Sequence, residues 1–342
     1  MDSSPSISGA DALVDVAGVR VGHHERLDES WATGTSVVLT PRGATAAVDV
    51  RGGAPGTRET DALDPSRLVQ QAHGVVLTGG SAYGLAAADG VMRWLGERGH
   101  GFAVGAEPGQ VVPIVPAAVL MDLPMGEWGN RPDAEFGRLA CEAAGADARQ
   151  GNVGAGTGAV AGFLKGGLGT ASAPVPNGTI GALVAVNSAG SVIDPSTGLP
   201  WSRSHDLPVP EPAEVSAARQ RASERPGRWG PTATPLNTTL GVIATDLRLS
   251  STECQRIAVA AQDGLARAVR PAHAMVDGET LFTLATGEAG DPDHARGWPR
   301  YLDELCSAAA DVVERAVVRG VVHAGSAAGV MSYTDLYPSV LE

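Results

Sequence analysis

The residues of this 342-residue chain best suited to covalent chemistry are Asn237, Thr238 and Thr239, which set a hydroxyl at the head of an apolar run. Rupture of the Asn237–Thr238 peptide bond would leave Thr238 with a free α-amine. An unperturbed α-amine titrates at about 7.7–8.0, so near neutral pH it can take the proton from the hydroxyl of its own residue. Nucleophile and base would then be one residue. An isolated Asn-Thr-Thr is also what a linker uses to satisfy a turn before an ordinary strand, so the assignment depends on its surroundings.

Other groups could assist. Asp277-Gly278-Glu279 precedes a second strand-like run, and residues two apart in extended chain point to one face, so the two carboxylates would converge. Near Thr238 they would hold its ammonium or orient its hydroxyl; the competing reading is a solvated Asp-Gly turn. Lys165 is the only lysine, against 24 arginines. Codon bias can leave a single lysine, but this one lies in Gly162-Phe163-Leu164-Lys165-Gly166-Gly167, where flexible backbone can approach a ligand and a compact ammonium differs from a planar guanidinium. Asn187 ends an apolar strand before Ser188-Ala189-Gly190, a place for a turn cap or an oxyanion donor.

Three motifs read as structural. Gly154-Ala155-Gly156-Thr157-Gly158-Ala159 fits the loose dinucleotide fingerprint but lacks an acidic residue about 20 positions on. Gly80-Ser81-Ala82-Tyr83-Gly84 opens a helix after a strand but misses the Gly-x-Ser-x-Gly frame. His23-His24 has no partner at metal-ligand spacing.

The elements that must position these groups alternate. Residues 35–39, 46–50 and 74–77 read as strands, 81–96 and 131–146 as helices, the second with Pro132 and Asp133 in its first turn, and 180–186 as a strand ending at Asn187. The glycine-rich 151–169 cannot be a regular helix throughout. The run 224–235 is rich in Pro and Gly and suits an exposed segment that tolerates a break, whereas 239–245 is β-branched and apolar enough for a buried strand. After it, Ser250-Ser251-Thr252-Glu253 is a capping box for a helix with Ile257, Ala261, Leu265 and Val269 on one stripe. Residues 280–285 read as a strand and 302–318 as a helix. The 105-residue piece from Thr238 onward must pair its strands with the first part of the chain to bury both faces. No internal repeat is visible.

Composition restricts the partners. With 43% hydrophobic residues and room for a substantial core, the chain reads as globular; a net charge of −13 with scattered arginines disfavours nucleic acid and anionic membrane. Cys141, Cys254 and Cys306 stand far apart, which points to buried reduced thiols rather than zinc or disulfides. The first thirty residues lack a basic start followed by an apolar block, and no run of about eighteen apolar residues occurs, so the expected location is the cytoplasm.

Taken together, Asn237-Thr238-Thr239-Leu240, Asp277-Gly278-Glu279-Thr280-Leu281-Phe282, Asn187, Lys165, Gly79-Gly80-Ser81-Ala82-Tyr83-Gly84-Leu85 and Ala47-Val48-Asp49-Val50-Arg51-Gly52-Gly53 make the chain resemble the self-cleaving peptidase family of L-aminopeptidase/D-esterase, β-aminopeptidases and nylon-oligomer hydrolase, over nearly its whole length. That resemblance implies an α/β fold, the αββα four-layer sandwich shared with ornithine acetyltransferase. It implies one peptidase domain, 1–342, that cuts itself into chains 1–237 and 238–342, assembles commonly as a tetramer of such pairs, and needs no cofactor or metal. By the same resemblance Thr238 is the nucleophile for self-cleavage and for hydrolysis of short peptides, amides or esters. Asp277 and Glu279 form the acidic pair, and Lys165 and Asn187 position the nucleophile and stabilise the oxyanion. This chain combines threonine with Asp-x-Glu, where β-aminopeptidases use serine and nylon-oligomer hydrolase has Asp-x-Asp; a site tyrosine of the latter is replaced around Arg131. Rival expectations are acyl transfer to an amine, as in ornithine acetyltransferase, and an unprocessed protein that binds a small ligand without catalysis.

Overall fold

Buried side chains alternate along the central strands and feed different cores on opposite faces. The computed structural model describes residues 9–202, 205–222, 236–293 and 297–341; the run 224–235 lies outside them. Four strands carry the first sheet region: β10 (Gly167–Val175), β11 (Gly178–Val186), β12 (Leu240–Leu247) and β13 (Thr280–Gly290). From β12 and β13, Leu240, Val242, Ala244, Phe282 and Leu284 enter one core, while Ile243, Leu281 and Ala285 enter another. A sheet apolar on both faces must be covered on both.

Helices α4 (Ser251–Ala268) and α5 (Trp298–Val322) cover one face, burying Ile257, Ala261, Leu265, Val313 and Val317 against it. Helix α4 starts as the capping box dictates, with the Ser250 side chain accepting from the Glu253 amide. The two helices approach closely at Gly264, where a Cβ would fall on the Ala310 carbonyl.

The other face packs on a second sheet region made of β1 (Arg20–Leu27), β2 (Ala32–Val50), β4 (Gln71–Thr78) and β7 (Ala117–Val119), through Val21, Val38, Val75, Leu77 and Ala118. The outward residues Val37, Leu39, Val76 and Ala117 are covered by α1 (Ala87–Gly96) and α2 (Ala134–Glu142). Three cores between four layers make the αββα sandwich expected from the sequence. Minor elements complete it: β3 (Thr57–Arg58) beside β7, the hairpins β5 (Phe102–Ala103) with β6 (Val111–Val112) and β8 (Val160–Ala161) with β9 (Leu164–Lys165), and α3 (Pro212–Arg221).

Strand β2 joins the two regions. It pairs with β4 at Thr35–Leu39 and with β13 at Thr45–Val50, and its register on β4 shifts between Leu39 and Ala44. The sequence splits it into two strands because Pro41 and Gly43 interrupt the pattern; Gly43 takes a φ of 83° and the strand bends there without ending. Two helices are shorter than expected. The stretch 81–96 opens as a 3-10 turn, Ser81–Ala86, before α1, and α2 begins only after Asp133, whose side chain accepts from the Glu135 and Phe136 amides as N-cap.

The strand ends now place the site. Strand β12 runs parallel to β13, with Leu240 opposite Thr280, and antiparallel to β11, with Leu240 opposite Ala185. The start of β12, the start of β13 and the end of β11 therefore meet at one edge of the sandwich.

Candidate active site

Both residues of the Asn237–Thr238 bond are fixed by backbone hydrogen bonds. The Thr238 amide donates to the Asn187 carbonyl at 2.7 Å, and the Asn237 amide donates to the Val276 carbonyl at 2.9 Å. Thr238 is only 4% exposed, and its hydroxyl donates to the carbonyl oxygen of Asn237, the group it would attack.

The acidic pair lies beside it, because Thr280, next in chain after Glu279, donates its amide to the Thr239 carbonyl at 3.1 Å. Neither acid is solvated, so the Asp-Gly turn reading fails: Asp277 is fully buried and Glu279 is 1% exposed. Asp277 accepts from the Ala189 amide at 3.1 and 3.3 Å through its two oxygens. Burial first, and then the adjacent Glu279, push its carboxyl up to about 7. Glu279 Oε1 accepts from the His273 amide at 2.7 Å, while Oε2 has no hydrogen-bond partner among the described residues. Gly52, at φ 79°, lies against that oxygen, and any Cβ there would fall on it.

Asn187 spends much of its side chain on the frame. Its Oδ1 accepts from the Val160 amide at 2.8 Å and its Nδ2 donates to the Met121 carbonyl at 3.3 Å. An oxyanion would be served by the second amide hydrogen.

Lys165 does not lie on a flexible loop. It is wholly buried in β9, opposite Val160, with Nζ donating to the carbonyls of Gly156 at 3.0 Å and Gly166 at 2.6 Å. Burial lowers its ammonium to about 7, opposed by the carboxylate of Asp122. Lys165 makes no hydrogen bond to Thr238; it reaches the nucleophile through Val160 and Asn187.

Asp122 was not foreseen. It is 2% exposed, and its Oδ1 accepts from the Gly80 amide at 2.6 Å. Burial raises its carboxyl to about 6, opposed by Thr33, the Gly80 amide and Lys165. The turn that leads into Gly80-Ser81-Ala82-Tyr83-Gly84, a motif that reads as structural from the sequence, holds it: a Cβ on Gly79 would fall on the Asp122 carboxylate and the Thr33 hydroxyl. The available signal was one acid closing the apolar run Ala117-Ala118-Val119-Leu120-Met121. The site thus gathers buried groups that change charge near neutrality, as acid–base chemistry requires.

The remaining motifs are structural. His23 is buried with Nδ1 2.9 Å from the Ser36 hydroxyl, and burial lowers its imidazole to about 4. The three cysteines are buried free thiols. Among the described residues no group of three or more His, Cys, Asp or Glu is disposed to hold a metal ion, and no helix is long and apolar enough to cross a membrane.

Comparison with known proteins gives one consistent picture. The profile of peptidase family S58 matches residues 11–334. An uncharacterized aminopeptidase of Mycobacterium tuberculosis is 51% identical over 345 residues, spanning 96% of this chain and 98% of that protein. A 6-aminohexanoate-oligomer endohydrolase of Paenarthrobacter ureafaciens is 31% identical over 291 residues, spanning 81% and 76%. The fold is similar to that of the L-aminopeptidase D-Ala-esterase/amidase of Ochrobactrum anthropi, an Ntn-hydrolase variant (TM-score 0.73, 21% identity, 100% and 96% covered). It is also similar to that of a Burkholderia β-aminopeptidase (TM-score 0.70, 23% identity, 99% and 97% covered).

Proposed function

The chain belongs to peptidase family S58, and from that premise and the site geometry we propose that it is a self-processing N-terminal-threonine hydrolase acting as an aminopeptidase or amidase. The observation that carries the reading is the Thr238 hydroxyl resting on the carbonyl of the bond it would open. In the intact chain Oγ1 attacks the Asn237 carbonyl carbon, the C–N bond breaks, and the hydroxyl proton passes to the departing nitrogen, leaving an ester. Water hydrolyses the ester, giving a carboxylate on Asn237 and restoring the Thr238 hydroxyl beside the amine freed in the first step. Asp277 and Lys165, both brought to about 7 by burial, are the groups able to handle protons before that amine exists.

The mature amine stays beside the Asn187 carbonyl that now receives the Thr238 amide, so it is oriented as base for its own hydroxyl. Thr238 then forms an acyl-enzyme with the substrate residue that contributes the scissile carbonyl, the amine side departs with the proton, and water releases the acyl group. The remaining amide hydrogen of Asn187 serves the oxyanion, a role in which one donor supplies about 2.7–4 kcal/mol. Asp277 and Glu279 favour substrates that present an ammonium, hence short peptides, amides or esters with a free, small N-terminal residue. The names of the mycobacterial aminopeptidase and the 6-aminohexanoate-oligomer endohydrolase agree with amide hydrolysis. By the family resemblance the processed pairs assemble as a tetramer.

The test is a panel of amino-acid nitroanilides and an acetyl ester, assayed with and without an amino-acid acceptor. Hydrolysis that ignores the acceptor supports the reading; turnover only in its presence would assign acyl transfer instead.

A further inference from the structure

The six residues between Arg270 and Asp277 are tied to both halves of the chemistry. At one end Arg270 and Ser191 exchange two backbone hydrogen bonds of 2.9 Å; in the middle the Ala274 carbonyl accepts from the amides of Gly53 (3.2 Å) and Asp277 (3.0 Å); at the other end Val276 accepts from Asn237. His273 sits in this run with a φ of 57°, a left-handed conformation that only Gly, Asn and Asp adopt readily. That conformation aims its amide at Glu279 Oε1, 2.7 Å away. The ring follows: Nδ1 lies 3.6 Å from the same oxygen, and neither Nδ1 nor Glu279 Oε2 has a hydrogen-bond partner among the described residues. A strained residue with an unspent ring nitrogen beside a buried, half-satisfied carboxylate is an expensive arrangement to keep without use.

We propose that His273 is a positioning residue, whose strained backbone fixes the Glu279 carboxylate and whose ring pairs with it, so that of the two buried acids Glu279 has a basic partner and Asp277 has none. The inference rests on the hydrolase reading given above. It explains how two buried acids two residues apart avoid competing for one proton. Other charged groups around the run are engaged elsewhere: Arg51 bonds Asp49 at 2.8 Å, and the Arg270 guanidinium stacks over Trp201. The imidazole is therefore the basic side chain that faces Glu279.

The experiment uses three full-length variants. His273→Asn keeps the amide and tolerates the left-handed backbone but has no basic group; His273→Arg supplies a cation; His273→Ala removes ring and conformational tolerance together. For each, the pH profile of nitroanilide hydrolysis and of self-cleavage is measured. Without the basic partner the pair protonates more readily, so His273→Asn is expected to move the acid limb upward by about half a unit to one unit. The rate on that limb then falls roughly three- to tenfold while the alkaline plateau stays within about twofold. His273→Arg brings the limb back toward the wild type. An acid limb in His273→Asn superimposable on the wild type, or a loss equal at every pH and unrelieved by arginine, overturns the proposal. Those outcomes leave the parent reading standing, because that reading is tested separately, by whether the wild-type chain splits between Asn237 and Thr238 and hydrolyses amides without an acceptor.

Discussion

Asp277→Asn should stabilise the protein while disabling it, and by an amount that depends on pH. The native carboxyl is raised from its ordinary 3.8 to about 7, by burial and then by Glu279. The folded state therefore binds this proton more tightly than the unfolded chain, so the associated stability is fully present below pH 3.8 and is lost as pH rises through about 7. A rise of about three units corresponds to about 4 kcal/mol at 1.36 kcal/mol per unit. Asparagine retains an oxygen to accept the Ala189 amide and carries no charge to repel Glu279. To keep processing out of the comparison, the substitution is made in a Thr238→Ala background and both proteins are unfolded in denaturant at pH 4, 6 and 8. The expected difference is near zero at pH 4 and grows to about 4 kcal/mol in favour of asparagine at pH 8, roughly 6 °C in Tm. Equal destabilisation at all three pH values would refute the assignment of Asp277 as a carboxylate ionised against burial.

Other outcomes follow from the same geometry. Lys165→Met keeps the length of the side chain but withdraws the ammonium from the Gly156 and Gly166 carbonyls and from Asp122; self-cleavage, followed by gel electrophoresis after expression, should slow by about 10² or more. Gly79→Ala drives a methyl group into the Asp122 carboxylate and the Thr33 hydroxyl, and should destabilise by about 1–3 kcal/mol in chemical denaturation, with loss of processing.

The positions gathered at the candidate site are easier to read from the amino-acid sequence than the framework around them. Thr238, Asn187, Asp277 and Glu279 are legible because each stands at the end of a strand whose apolar pattern is unbroken: 239–245 against the observed Leu240–Leu247, 180–186 against Gly178–Val186, 280–285 against Thr280–Gly290. Helix α4 is legible because Ser250 and Glu253 form a local capping box. Strand β10, Gly-Leu-Gly-Thr-Ala-Ser-Ala-Pro-Val, is hidden because glycine and alanine carry little β-signal; Gly169 is there to admit the α5 backbone at Ala316 and Gly320. The environment of Lys165 is misread for a related reason. Glycines that suggest a flexible loop are used for close packing, and they bring two carbonyls onto a buried ammonium. Asp122 and His273 escape because their partners, Lys165 and Gly80 for one and Glu279 for the other, are brought to them by the fold or by a left-handed turn rather than by a spacing the sequence displays.

The mass of the purified protein tests self-cleavage at Thr238 most directly. Wild-type chain should arrive as two polypeptides that meet between Asn237 and Thr238, and Thr238→Ala as one of 34.7 kDa without amidase activity. An unsplit wild-type chain that hydrolyses amides at full rate, or a Thr238→Ala chain that still divides at that bond, would contradict it.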